Sequence, residues 1–333
     1  MNRRSFNKSL GMIALLGLAG VDKVSTSPAK RPQVAVTMDD FNWGNAVKLS
    51  ASERNQAILA TLKSHSLKAA LFVMGRNIDN DEGKALLKPW SEAGHLIGNH
   101  TYSHRNYNNP AMTASNYEQD ILRAEGLLKE FPRFQKYFRF PMLKEGETAQ
   151  KRDDIRRVLA RHGYKNGHVT IDNSDWIVDQ RLTARLKKDP QSDLTPYRDF
   201  YLEHMWDRAQ YYDALAHKVL GRAVKHTILT HFNLLNGLFL GDLLQMFKSK
   251  GWQLIDAEDA FRDQIFKAEP KVLPAGESIV WSLAKEKGTI AKSLRYPAED
   301  GERENARMTA AVATQSATAP PSATGSSARV TVR

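Results

Sequence analysis

Gly94-His95-Leu96-Ile97-Gly98-Asn99-His100-Thr101-Tyr102-Ser103-His104 is the stretch on which the reading of this chain turns. Gly94 closes a helical pattern, a short apolar run follows, and two imidazoles, His100 and His104, come four residues apart. On one side of a helical turn or tight loop, that spacing sets both rings within reach of a single cation. Surface helices produce such pairs by chance, so the weight comes from what the rest of the chain puts at equivalent positions. His95 sits inside the apolar run and reads as a structural residue.

Working outward, residues 32–266 alternate strand signals with helix signals. Strand patterns fall at 34–38, 69–73, 95–98, 137–140, 168–171, 227–229 and 253–255. Between them, Ser50-x-x-Glu53 and Ser115-x-x-Glu118 read as capping boxes, and helical patterns stop on Gly94, Gly163, Gly221 and Gly251. Strand–helix units repeated in this order predict an α/β fold, a distorted (β/α) barrel of about seven parallel strands. Such barrels build their sites at the C-terminal strand ends. Here those ends carry Asp39 and Asp40, His100 and His104, Arg139, Asp172 and Asp175, and His231. Ionisable residues closing five strands at one end of a barrel are hard to explain by packing.

Composition sets the frame. The chain has 333 residues, 41% hydrophobic and 26% charged, with no cysteine, so it carries no disulfide and no Cys-linked lipid. Its formal charge of +11 is spread along the sequence without a nucleic-acid motif, and a solvated basic surface is expected. Arg3-Arg4-Ser5-Phe6-Asn7-Lys8, followed by an apolar stretch over 10–20, resembles a twin-arginine export signal. Residues 1–30 are therefore assigned to a signal peptide and short linker. The mature protein is expected to be periplasmic or extracellular, monomeric, and without stable membrane insertion after cleavage. Residues 31–266 form the predicted catalytic domain, with an insertion over 177–225. Residues 267–304 read as a C-terminal appendage, and 305–333, rich in Ala, Thr, Ser and Pro, as a disordered tail.

Five motifs in order then carry a resemblance: Thr37-Met38-Asp39-Asp40, His100-Thr101-Tyr102-Ser103-His104, Arg139-Phe140-Pro141, Asp172-Asn173-Ser174-Asp175-Trp176 and Leu229-Thr230-His231. Over about residues 33–262 the chain resembles the polysaccharide deacetylases, the NodB-homology group also called carbohydrate esterase family four. That family's fold is a distorted barrel of seven strands. The resemblance implies that Asp40, His100 and His104 hold a divalent metal, zinc foremost, with cobalt, nickel or manganese acceptable to the same donors. It implies that Asp39 is the general base, held and kept ionised by Arg139, and that His231 is the general acid, oriented by Asp175. It further implies that Trp176 and Leu229 shelter the acetyl methyl and that the Met142 backbone helps bind the oxyanion. The implied substrate is an acetylated polysaccharide or oligosaccharide, cleaved at N-acetyl or O-acetyl groups, with no nucleic-acid partner.

The chain departs from the family in three places. Met142 stands where Tyr is usual, Phe41-Asn42-Trp43 replaces the common Gly-Pro, and the 177–225 insertion is long for a barrel connection. Within the insertion, residues 200–220 read as one helix, whose Trp206 and Tyr211 either stack on sugars or pack on the barrel wall. Two rival readings follow. One is a metal-dependent amidase or imidase acting on a small cyclic amide, which a mouth closed by the insertion would favour. The other is a non-catalytic carbohydrate-binding domain, disfavoured by the complete set of site residues.

Overall fold

Val34, Val36 and Met38 pack outward on helices while Ala35, Thr37 and Asp39 face inward, so the first strand is buried on both sides. That is the environment of a parallel strand inside a helical ring. The computed structural model describes residues 31–288 and 304–310. The sequence signal over 1–30 and most of the tail expected to be disordered lie outside the described residues.

The alternation runs as the sequence predicts. Strand β1 (Gln33–Asp39) leads into α1 (Ala51–Ser64), β2 (Ala70–Val73) into α2 (Asp81–Glu92), and β3 (Leu96–Asn99) into α3 (Ala114–Leu128). Next come β4 (Phe134–Phe138), β5 (Lys144–Gly146), α4 (Ala149–Arg161), β6 (Lys165–Asn166), α5 (Asp175–Lys188) and α6 (Thr195–Leu220). Strand β7 (Lys225–His231), α7 (Leu234–Ser249), β8 (Gln253–Leu254) and α8 (Ala257–Ala260) complete the ring, and β9 (Ala275–Gly276) and α9 (Ile279–Glu286) follow. The strands of the main sheet are parallel, ordered β6-β4-β3-β2-β1-β7, with β8 joining at the start of β1. The sheet curls into a distorted (β/α) barrel.

Three local expectations change. The strand predicted over 168–171 shrinks to one bridge, Ile171 to Ile228. The Thr170 hydroxyl takes the Thr227 backbone N–H at 2.8 Å, and Ser278 Oγ donates to the Thr170 carbonyl at 2.8 Å. The Val169 carbonyl accepts from Ile279 N at 2.9 Å. Side chains and the C-terminal segment thus use the backbone groups a regular ladder would need. Helix α3 is capped by Thr113, whose hydroxyl accepts from Asn116 N at 3.1 Å, so Ser115 falls inside the first turn and Glu118 turns instead to Arg161 and His162. Finally, residues 304–310 are helical with Met308 fully buried, so the expected disorder does not begin at Asn305.

Inside the barrel, Phe72 fills the space left by two glycines. A Cβ at Gly98 would lie 2.7 Å from the Phe72 ring, and one at Gly167 would lie closer still. The same ring lies 4.0 Å beneath the Arg139 guanidinium, so the glycines set the height of a site residue. Gly98→Ala should destabilise the protein by about 1–3 kcal/mol through overpacking. Urea unfolding of the mature protein measures this, and a change within about 0.5 kcal/mol would show that Phe72 has room to move.

Candidate active site

The polar strand ends meet around one cavity of about 590 Å³. Asp39, Asp40, His100, His104 and His231 line it, with Met142, Leu143, Trp176 and Leu229 as its apolar wall. Asn106, Lys144, Asp172 and Asn173 complete the lining. Arg139 and Asp175 stand just behind, each holding a lining residue.

Asp40, His100 and His104 bring one donor atom each to within 4.8 Å of one another. Asp40 Oδ1 lies 3.4 Å from His100 Nε2 and 3.1 Å from His104 Nε2. His100 Nδ1 contacts the Arg139 carbonyl at 2.8 Å, and because a carbonyl only accepts, the ring proton sits on Nδ1. The Nε2 lone pair is then turned toward Asp40 Oδ1, a buried oxygen without a hydrogen-bond partner among the described residues. One carboxylate oxygen and two imidazole nitrogens gathered this closely form a donor set that fits a divalent cation. Burial opposes ionisation of Asp40, but His100, His104 and His231 overcome it and hold the carboxyl well below the usual carboxylate range.

The backbone is strained to make this rim. Asp40, Thr101, His104, Met142 and Leu143 all have φ between 53° and 64°. Each costs on the order of 1–2 kcal/mol relative to ordinary backbone, and such residues cluster where function over-determines conformation.

Behind the cation cluster, Asp39 is 3% exposed and paired with a guanidinium that is 1% exposed. Arg139 Nη1 donates to Asp39 Oδ1 at 2.7 Å and to Thr37 Oγ1 at 2.9 Å, while Nε donates to the Gly167 carbonyl at 2.8 Å. Removing either partner would leave an uncompensated buried charge, a loss of about 3–5 kcal/mol. Across the cavity, His231 Nδ1 meets Asp175 Oδ1 at 2.6 Å, and Asp175 Oδ2 accepts from the His231 backbone N–H at 3.0 Å and from Asn236 Nδ2 at 2.9 Å. Tyr201 Oη fixes Asn236 in turn at 2.6 Å. Burial alone would lower the His231 pKa, but Asp175, with Asp40 and Asp39 nearby, raises it to about 10.

The remaining carboxylate and imidazole behave differently. Asp172 is raised well above the usual range by burial, reinforced by Glu277, so it serves poorly as a charged base. His95 accepts the Ala69 N–H on Nδ1 at 3.0 Å, rests on Trp90, and is pushed down to about 4 by burial. It is a neutral structural group. Trp206 packs on Phe247 and Trp252, and Tyr211 on Tyr212, so the insertion's aromatics lie on the wall. No residue lining the cavity comes from 177–225. Sequence reasoning missed Asn106, Leu143, Lys144, Asn173 and Asn236. Asn236 offered only a misleading signal, since Asn233-x-x-Asn236 reads as a helix cap and does act as one.

A curled parallel barrel whose strand ends gather a cation-type donor set, a guarded carboxylate and a carboxylate–imidazole pair is the frame of an acid–base site. Residues 26–167 match the family model described as polysaccharide deacetylase. The match covers the motifs at Asp39, His100 and Arg139, while those at Asp175 and His231 lie beyond it. A peptidoglycan-N-acetylglucosamine deacetylase of Bacillus cereus is 32% identical over 103 residues, 31% of this chain and 33% of that protein. The chain thus spans about one third of the length of the curated relative it matches. Among solved structures, the chain is similar to a family 4 acetyl xylan esterase from Clostridium thermocellum in complex with a cobalt ion. There the identity is 18%, the coverage 69% of this chain and 90% of that one, and the TM-score 0.46. A family pseudoenzyme from Bacillus anthracis is 16% identical, covering 69% and 65%, with a TM-score of 0.47.

The raised pKa of His231 has a signed consequence. Its pair with Asp175 stabilises the fold fully below the unfolded value near 6.5 and loses that contribution as pH rises through about 10. Asp175→Asn should bring the imidazole titration down by more than one unit and remove the fall in stability between pH 7 and 10. Imidazole NMR and urea unfolding across that range check both, and an unmoved titration would assign the shift elsewhere.

Proposed function

We propose that this protein is a metal-dependent deacetylase that hydrolyses acetyl groups on a cell-wall or extracellular polysaccharide, N-acetyl groups foremost. The observation that carries the reading is the meeting, around one cavity, of a cation-type donor set with a guarded carboxylate on one side and a charged imidazole on the other. Asp40, His100 and His104 would hold the ion, with zinc the first choice for a mixed N/O set. When bound, such an ion supplies Lewis-acid polarisation of a carbonyl and makes water easier to deprotonate.

The chain's own groups divide the proton work. Asp39, paired with the Arg139 guanidinium at 2.7 Å, takes a proton from the attacking water. The acetyl carbonyl becomes tetrahedral, and the Met142 backbone N–H stabilises the developing oxyanion. His231 holds a proton across the neutral range and delivers it from Nε2 to the departing amine nitrogen, while Asp175 keeps the ring oriented through Nδ1. Leu229, with Leu143 and Val169, forms a small apolar cluster suited to the methyl group, and Trp176, 46% exposed, stands at the rim to meet the sugar. The mouth is free of the insertion, which favours a polymer over a small cyclic amide. The catalytic unit we assign is 31–266, together with the part of 267–288 that packs beside it.

Acetate release from a panel of acetylated glycans tests the reading. The metal-loaded protein should release acetate, chelation should abolish release, and His100→Ala or His104→Ala should lower bound metal and rate together. Full metal occupancy in the double variant, or undiminished release after chelation, would overturn the assignment.

We also infer export through the Arg3-Arg4 signal. Among the described residues no helix is long and apolar enough to cross a membrane. Changing both arginines to lysine should strand folded protein in the cytoplasm, as cell fractionation would show. Full export of that variant would point to the general secretory route.

A further inference from the structure

Far along the chain, residues 304–310 form a helical turn that carries a fully buried carboxylate. Glu304 is 0% exposed, and its Oε1 lies 3.2 Å from Arg208 Nη2 and 3.8 Å from His204 Nδ1. Both partners belong to α6. His204, also 0% exposed, turns its other ring nitrogen toward α5, where Nε2 lies 3.1 Å from the Ser174 backbone N. Ser174 directly precedes Asp175, the residue that orients His231.

The tautomer of His204 follows from its partners. The Ser174 N–H can only donate, so Nε2 accepts and the ring proton is on Nδ1, facing Glu304. Burial, helped by the charges of Arg208 and Arg307, pushes the imidazole down to about 3, so the ring is neutral and this tautomer is the one present. Ser174 is the N-cap of α5 but makes no side-chain cap bond. The backbone donor at the start of this helix is thus held from outside, by a ring belonging to another helix.

The turn itself is well anchored. Met308 is fully buried in the main hydrophobic cluster. Arg181 of α5 donates to Thr309 Oγ1 at 2.9 Å, so the turn bridges α5 and α6.

We propose that residues 304–310 are a latch on the active site, and that His204 is a positioning residue holding the first turn of α5, and with it Asp175 and Trp176, in register with His231. The proposal rests on the deacetylase reading for its activity effect but not for its structural one. Loss of the latch lets the Ser174–Trp176 turn shift, which loosens the Asp175–His231 pair without touching the cation site.

Hydrogen exchange and kinetics on the full mature chain test this together. His204→Leu removes the acceptor and should raise exchange at the Ser174 amide about tenfold, with kcat on an acetylated glycan falling by a similar factor and bound metal unchanged. His204→Gln puts an amide oxygen where Nε2 stood and should recover both. Met308→Asp, which undocks the turn, should reproduce the leucine variant. Unchanged Ser174 exchange and unchanged kcat in a folded His204→Leu protein would overturn the positioning role, and normal values in Met308→Asp would overturn the latch. Should the wild type release no acetate, the exchange result still stands or falls alone.

Discussion

The Arg139–Asp39 ion pair is the constraint on which the rest of this structure depends. Asp39 is a carboxylate buried where charge is penalised. A guanidinium locked by Thr37, Asp39 and the Gly167 carbonyl offsets that penalty. The Arg139 carbonyl also sets the tautomer of His100, so one residue holds both the buried carboxylate and a cation-type donor. Side chain and backbone of a single arginine thereby couple the two halves of the chemistry.

The opposite wall is organised around Asp175, whose two oxygens are fully used by His231 and Asn236. Charge separation across the cavity follows: a carboxylate neutralised at its back on one side, an imidazolium on the other. Asp172 shows the converse, since burial, reinforced by Glu277, outweighs Lys144 and His231 and drives this carboxyl toward its neutral form.

Much of this was legible in the sequence because it is local. Strand-end motifs, the Ser50–Glu53 capping box and the helix-stopping glycines each need only a few neighbouring residues, and they located the barrel and its mouth. What was not legible depends on distant partners. The strand over 168–171 looked regular because Val169 and Ile171 are good strand residues, while Thr227 and Ser278, which take up its backbone groups, are 57 and 108 residues from Thr170. Asn236 supports Asp175 from 61 residues away. The cap at Thr113 was displaced to Ser115 because two hydroxyl residues compete over two positions and only the backbone angle decides. Met308 was lost in a stretch whose average composition suggested no core at all.

Phe72, wedged against Gly98 and Gly167 beneath the guanidinium, separates what this barrel is free to vary from what it is not. Met142 and Trp176 stand at the cavity rim, 52% and 46% exposed, so their side chains carry little of the packing. The three interior positions can change only as a set, since a methyl group on either glycine must be matched by a smaller ring. Freedom to vary and the demand for exact packing are therefore assigned to different layers of the same wall, and selection can act on one while holding the other fixed.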